Sequence, residues 1–533
     1  MADRTYVMSY DIGTTGVKTC LFEVENEIKL IAAEMEGYSL TVYPDGGAEQ
    51  DPDEWWAAIK NTTNKLMSST DITADQIAGI SFCSQMQGLV LVDSNGVPVR
   101  KAMSYMDQRA KKQVKEGIAH GIQIAGANVF KLLKSLQITG AVAASVKDPV
   151  YKYKWVEENE PENFKRVHKW LDVKEYIICR MTDKFVMTKD SAFATLIYDV
   201  RKGKEGWSKE MCKMLGVDMS HLADIIDCCD MVGGLTDKAA KELGLSEGTP
   251  VFGGGGDASL IGVGAGSVAL GDTHIYSGTS GWASTVVDKN IVDTSAMIAA
   301  IVGAQDGYFN YFAELETAGK CLEWVKDHLA LDEIGIFLEK TDVAASKESI
   351  YTNLYDYMSE VIKKTPVGCG GVIFTPWLHG NRCPFEDPNA RGMFFNISLE
   401  TGMTELIRAV VEGTCMHLRW FVETQDKKVK TSNVIRFVGG GALSDVTCQI
   451  LADCMGRTVE TVSSPQNVGA VGAAVVSSVG LGLIDSMLDA KKLIPARKTF
   501  IPNPENKAVY DKNYEVYKRL YKCNKANFAA LNG

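Results

Sequence analysis

No two of the 13 cysteines stand three residues apart, and none falls into a zinc-ligand series. The adjacent Cys228 and Cys229 cannot close an ordinary disulfide with each other, because neighbouring Cα atoms lie closer together than the bridge geometry allows. A reducing compartment is therefore expected, and with it a cytoplasmic location. Long apolar runs are missing as well. Ala258–Leu270 is among the most apolar stretches, yet it is too short and too rich in glycine to span a bilayer. Positive charge is the scarcer sign, with 56 Lys and Arg against 67 Asp and Glu and a formal net charge of −11. An acidic chain repels a nucleic-acid backbone unless it carries a basic stripe, and Lys427, Lys428 and Lys430 make too short a run. Neither nucleic acid nor membrane is an expected partner. Met1–Arg4 leads directly into an alternating segment, which predicts no signal peptide.

What is present is a long chain of ordinary globular composition, 533 residues with 46 % hydrophobic and 23 % charged side chains. Single cores stop growing near about 250–300 residues, so two large lobes are expected. Thr5–Asp11, Val17–Glu23 and Glu27–Ala32 alternate like the strands of an antiparallel meander, with tight turns at Gly13–Gly16 and near Asn26. Asp51-Pro52-Asp53 supplies helix-start chemistry for a helix through Met67. Ile77–Phe82 and Leu89–Val92 read as strands on either side of Cys83–Gly88, and Gln108 to about Leu215 reads as mainly helical. A second unit opens like the first. Asp272–Ser277 is extended, followed by Gly278-Thr279-Ser280-Gly281 and a strand through Val287, in the place that Gly13-Thr14-Thr15-Gly16 holds in the first. The two tetrads lie roughly half the chain apart, which predicts two related lobes divided near residues 255–265.

Four glycine-centred segments carry the candidate chemistry. In Asp11-Ile12-Gly13-Thr14-Thr15-Gly16-Val17-Lys18, a turn can offer backbone N–H groups and threonine hydroxyls to a phosphate. There Asp11 can hold a divalent cation, and Lys18 can add charge if it folds back. The segment is not a P-loop, because Val17 separates Gly16 from Lys18. Gly278-Thr279-Ser280-Gly281 offers a second cradle. Val434–Val438, Gly439-Gly440-Gly441-Ala442-Leu443-Ser444 and a helix over Val446–Cys454 form a strand–turn–helix seat for a nucleotide. That segment also approaches a dinucleotide fingerprint, with Ser444 in place of the third glycine and Glu460 downstream, so a dehydrogenase stays open as an alternative. Finally, Gly253–Gly256 delivers Asp257 at the lobe boundary, where a carboxylate can accept a hydroxyl proton. Each glycine turn also has a plain reading as turn geometry, and Asp257 as a solvent-facing acid on a glycine hinge. Asp107 and Arg109, with Gln87 and Met86, are polar candidates for a hydroxylated ligand. Gly469–Ala474 and His274 read as structural, and Trp55 and Trp56 as partly core.

Taken in order, these segments resemble the FGGY carbohydrate kinases, and within them the xylulokinases. The resemblance includes Glu49-Gln50-Asp51-Pro52, Gln85-Met86-Gln87-Gly88, Asp107-Gln108-Arg109, Gly380-Asn381-Arg382-Cys383-Pro384 and Asp387–Gly392, and it covers nearly the entire chain. It implies an α/β fold of two actin-like (ribonuclease H-like) ATPase lobes with a central cleft. Residues 1–257 would form the sugar-binding lobe and residues 258–533 the ATP-binding lobe. It further implies ATP and Mg²⁺ as cofactors and a small sugar or polyol as acceptor, D-xylulose first and ribulose, L-xylulose, glycerol or erythritol as alternatives. A homodimer is one assembly left open. By the same resemblance Asp257 is the catalytic base and Asp11 positions the metal. Thr14, Thr15, Lys18, Gly278 and Thr279 belong to the phosphates, and Gly440, Gly441, Ala442 and Ser444 line the ATP site. Gln85, Met86, Gln87, Asp107 and Arg109 face the acceptor. Gln87 stands where xylulokinases usually carry His, and Tyr105-Met106-Asp107 where they usually carry Trp-Asn-Asp. Leu443 replaces a common Lys or Arg. An ATP-switched interaction protein of the same architecture is the expectation from another functional class.

Overall fold

Residues 5–121, 123–124, 127–328 and 354–533 are described by a computed structural model of the chain. The first sheet is built from β1 (Thr5–Ile12), β2 (Gly16–Val24), β3 (Ile28–Gly37), β4 (Ile77–Ser84), β5 (Met231–Gly234) and β6 (Pro250–Phe252). Its order is β5-β6-β4-β1-β2-β3. The meander pairs antiparallel, β4 runs parallel to β1, and β6 runs parallel to β4. The second sheet holds β7 (Thr273–Ser277), β8 (Gly281–Val287), β9 (Val292–Asp293), β10 (Ile298–Val302), β11 (Phe309–Leu315), β12 (Val434–Val438), β13 (Thr458–Thr461) and β14 (Lys498–Phe500).

The order of the second sheet, β9-β10-β11-β8-β7-β12-β13-β14, repeats the first. Strands β11-β8-β7-β12-β13-β14 match β3-β2-β1-β4-β6-β5 in both position and direction, including an antiparallel last pair at one edge. The duplication expected from two short glycine tetrads is therefore carried by twelve strands. These are two α/β lobes of the actin-like, ribonuclease H-like ATPase type.

Helix α1 (Pro52–Ser68) starts where Asp51 accepts from the backbone N–H of Asp53 and Pro52 presets the first turn. It buries Trp55, Trp56, Ile59 and Leu66 against β2 and β3. Both tryptophans are core: Trp56 donates its indole N–H to Glu242. Between β4 and β5 the helices α2 (Pro149–Asn159) and α3 (Val173–Thr182) belong to an inserted subdomain. The lobes meet through α4 (Asp257–Gly264) and α7 (Val468–Gly480), which cross face to face. Two further helices, α5 (Met403–Gln425) and α6 (Asp445–Met455), precede α7, and α8 (Lys507–Asn532) follows it. A Cβ on Gly264 would stand 1.8 Å from the Val468 carbonyl oxygen, and one on Gly472 2.3 Å from that of Leu260. Only glycine permits this approach, as expected for Gly469–Ala474, and overpacking it costs about 1–3 kcal/mol. Helix α7 also packs on β1 and β4, so a late segment of the chain completes the first lobe.

All 13 cysteines are free thiols. Among the described residues no helix is long and apolar enough to cross a membrane.

Candidate functional site

The hairpin between β1 and β2 forms the first wall. Gly13 donates its N–H to the Gly16 carbonyl oxygen (2.9 Å), and Tyr38 donates its hydroxyl to the Gly13 and Gly16 carbonyl oxygens from beneath. A Cβ on Gly16 would lie 2.8 Å from the Glu36 oxygen, so the turn sits tight on β3. Thr15 is exposed at the tip and Thr14 half-buried beside Tyr105. At the neck of the hairpin Asp11 opposes Lys18 across the strands. Burial pushes the Asp11 carboxyl up, while Lys18 and the Cys83 thiol pull it down. Lys18 Nζ is itself held by Asn467 Oδ1 (2.8 Å) and the Gln466 carbonyl oxygen (3.2 Å), just ahead of α7. A Cβ on Gly469 would come within 3.0 Å of Asp11 Oδ2, so the positive end of α7 abuts this carboxylate.

Gly278–Ser280 is the matching turn of the second lobe, closed by Gly278 N–H on the Ser280 oxygen (2.9 Å). Thr279 is exposed at its tip, as Thr15 is in the first. Next to it β12 runs into Gly439, whose φ of +88° demands glycine. A Cβ on Gly440 would meet nothing within 4 Å, whereas one on Gly441 would strike Ser277 Oγ at 2.8 Å. Gly440 thus faces open space above a backbone held firmly from below. Ala442 is buried, and Ser444 caps α6 by accepting from Thr447 N–H (3.3 Å). Glu460, the acid of the dinucleotide pattern, pairs with Arg436 Nε at 3.1 Å.

Asp257 opens α4, partly buried at the junction of the lobes. Burial pushes its carboxyl up to about 7; the Ala258 N–H at 2.8 Å opposes the rise, and the Asp11 and Glu314 carboxylates add to it. A carboxyl so raised changes its charge near neutral pH, the range in which a general base has to work. Met86 lies over the preceding residue, since a Cβ on Gly256 would fall 2.1 Å from its sulfur.

The turn after β4 places the remaining candidates. Gln85 donates to Gln50 Oε1 (3.0 Å), Gln50 in turn to the Thr14 carbonyl (2.7 Å), and Gln85 Oε1 is buried without a partner. Gln87 has φ +63°, and Asp172 holds that conformation by accepting from Gln87 N–H (2.9 Å) and Gly88 N–H (2.8 Å). Lys152 donates to the Gln87 and Ser104 carbonyls (2.6 and 2.9 Å), and burial pulls its amine down to about 8. Asp107 is fully buried, accepting from Ala48 N–H (2.8 Å) and from Arg109. Arg109 also grips Glu49 (2.6 Å) and stacks 4.3 Å from the Trp155 ring.

The structure therefore gathers Asp11, Lys18, Gln85, Met86 and Asp257 around one junction, with Asp107 and Arg109 forming a supporting wall. Asp172, Lys152 and Asn467 have no local sequence pattern that announces them; the one signal present is the Asp172–Val173 helix start. His274 is buried and accepts from Trp282, as a structural histidine does.

Comparison with known proteins identifies the family. Residues 6–264 match the FGGY family of carbohydrate kinases, N-terminal domain, and residues 274–481 its C-terminal domain. A xylulose kinase of Lactococcus lactis subsp. lactis (strain IL1403) is 30 % identical over 97 % of this chain and 97 % of its own. A gluconokinase of Bacillus licheniformis is 26 % identical over 97 % and 95 %. Among solved structures, the ligand-bound xylulose kinase from Lactobacillus acidophilus superposes with a TM-score of 0.84 at 25 % identity, covering 99 % of this chain and 100 % of that one. The gluconate kinase from the same organism gives 0.83 at 25 % identity, with the same coverage. With both domains matched and the two-lobed site in place, this chain belongs to the FGGY family of carbohydrate kinases.

Proposed function

We propose that this kinase uses Mg-ATP to phosphorylate a neutral pentulose, D-xylulose first, at its terminal hydroxyl. The observation that carries the reading is Asp257, a carboxylate raised to about 7 beside the Met86–Gln87 turn. Near neutral pH a good fraction is ionised and can accept the acceptor's hydroxyl proton as that oxygen attacks phosphorus.

The residues present fit the nucleotide and the metal. Gly440 leaves room above the second-lobe turn for an adenosine, and the exposed Thr15 and Thr279 mark two turns for the phosphates. Among the described residues no group of three or more His, Cys, Asp or Glu forms a metal cage. Asp11 would hold Mg²⁺ through water, the ion keeping most of its ligands from phosphate and solvent. When bound, Mg²⁺ neutralises phosphate charge. Lys18 balances Asp11, and closure of the cleft over the substrates would exclude competing water.

Charge matching supports a neutral sugar over an aldonate. Arg109 is engaged by Asp107 and Glu49, Arg382 by Glu314 and Glu316, and Lys152 by two carbonyls. A carboxylate on the acceptor would have to displace one of these partners. The test is direct: incubate the protein with Mg-ATP and D-xylulose, L-xylulose, D- and L-ribulose, glycerol, erythritol and gluconate, and identify products by mass. D-xylulose 5-phosphate is expected as the fastest product. Phosphorylation of gluconate ahead of every ketose, or of nothing, sinks the reading.

A further inference from the structure

Beside the Gly255–Asp257 segment lies a buried polar cluster. Lys174 and Glu175 at the start of α3 form an ion pair, and both are fully buried. Lys174 Nζ also donates to Thr188 Oγ1 (2.6 Å) and Ser191 Oγ (2.7 Å). Asp190, between those two, is fully buried as well. Its Oδ1 accepts from the Thr188 hydroxyl (2.5 Å) and Ser191 N–H (2.9 Å), with the Cys228 thiol at 3.8 Å. Its Oδ2 accepts from the N–H of Gly256 at 2.7 Å. Gly256 is the residue immediately before Asp257.

Burying three ionisable groups away from water is a costly way to gain stability; apolar residues of the same volume often serve a fold as well. What such a cluster provides here is direction. Gly255 and Gly256 pair with Cys83 and Ser84 at the end of β4, so one edge of the segment is anchored to the strand that leads into Gln85–Gly88. Asp190 holds the segment from the other side, and Met86 covers Gly256 from above. The Gly255–Gly256 peptide, one residue ahead of Asp257, is thereby held from three sides. A charged acceptor makes the N–H bond shorter and stronger than a neutral one would.

We propose that Asp190 is a positioning residue for phosphoryl transfer: through the Gly256 N–H it sets the direction in which Asp257 meets the acceptor hydroxyl. This rests on the reading of Asp257 as the base. The expected effect is on turnover and not on nucleotide binding, because a small misplacement of a catalytic group is felt only in the transition state.

Steady-state kinetics with Mg-ATP and the fastest acceptor of the panel test this in three variants, alongside Asp257→Asn. Asp190→Ala should lower kcat about 10- to 100-fold with KM for ATP within about twofold. Asp190→Asn keeps one oxygen, enough for the Gly256 N–H or the Ser191 N–H but not for both, and should recover only part of the kcat lost in Asp190→Ala. Thr188→Val removes the hydroxyl that orients Asp190, with little change in volume, and should lower kcat about threefold, again without moving KM for ATP. Active enzyme is counted by stoichiometric ATP-analogue binding, so loss of folded protein does not pass for loss of turnover. If Asp190→Ala misfolds, Thr188→Val alone decides. Unchanged kcat in Thr188→Val, or in a folded Asp190→Ala, overturns the positioning role. Near-normal turnover in Asp257→Asn overturns the base assignment instead, so the two failures are told apart.

Discussion

The two lobes use one strand order to present different chemistry at equivalent places. At the neck of the first hairpin Asp11 faces Lys18; at the neck of the second Tyr276 faces Trp282, their rings stacked 4.1 Å apart. The first loop runs from Ile12 to Val17 and the second from Ser277 to Gly281, one residue shorter. After the equivalent parallel strands β4 and β12 come Gln85–Gly88, rich in side-chain donors and acceptors, and Gly439–Gly441, with none. Polar side chains recognise hydroxyls by direction, whereas bare backbone lets a flat base or a phosphate approach closely. The comparison teaches that a duplicated frame supplies two facing seats, and that a few substitutions at its turns decide what each seat takes.

The sharpest way to break this division is at Asp257. If first-lobe and junction groups act on the acceptor, Asp257→Asn lowers kcat by about 10²–10⁴-fold while ATP affinity, read by calorimetry, stays within about twofold. A comparable loss of ATP affinity would dissolve the distinction between the seats.

The pH profile is the next largest effect. Because the Asp257 carboxyl is raised to about 7 and only its ionised form accepts a proton, kcat/KM for the acceptor should fall about tenfold per pH unit below that value. Nucleotide affinity measured over the same range should lack this slope. A flat acceptor profile from pH 5 to 8 removes Asp257 from the role of base.

On the other side, Gly440→Val should raise KM for ATP about tenfold and leave KM for the acceptor unchanged. The added side chain meets no protein atom at its Cβ and so enters the open space instead. A tenfold change corresponds to about 1.4 kcal/mol. Equal changes in both KM values would mean that Gly440 lines a shared space.

The smallest effect is expected at Gln87, on the acceptor turn. One altered hydrogen bond is worth about 0.5–1.5 kcal/mol, so Gln87→His should change the ratio of D-xylulose to D-ribulose efficiency by roughly 2- to 12-fold. KM for ATP should not move. An unchanged ranking across the sugar panel takes Gln87 out of substrate selection.

Much of this was legible in the chain itself. The strand reading placed β1, β2 and β12 to within a residue or two, because residue type and flanking turns mark a strand locally even where, as in β1 and β2, nearly every residue is buried. Asp51-Pro52-Asp53 predicted the start of α1 for the same reason. The two glycine tetrads marked the duplicated hairpins, and four glycines marked Asp257, since tight turns and close backbone approach leave glycine as a visible trace. Tertiary structure alone decided the partners of those residues. Asp172 reaches Gln87, Asp190 reaches Gly256, and Lys18 reaches Asn467 across most of the chain. Asp107, read as an acceptor ligand from its neighbourhood, lies fully buried between Ala48 and Arg109, a setting no local pattern shows. Periodicity and turn chemistry record what a residue does with its sequence neighbours. Which distant carboxylate ends up beneath a given N–H is settled only when sheets, crossing helices and inserted subdomain pack together, because that packing, and not the local backbone, brings the two groups within hydrogen-bond reach.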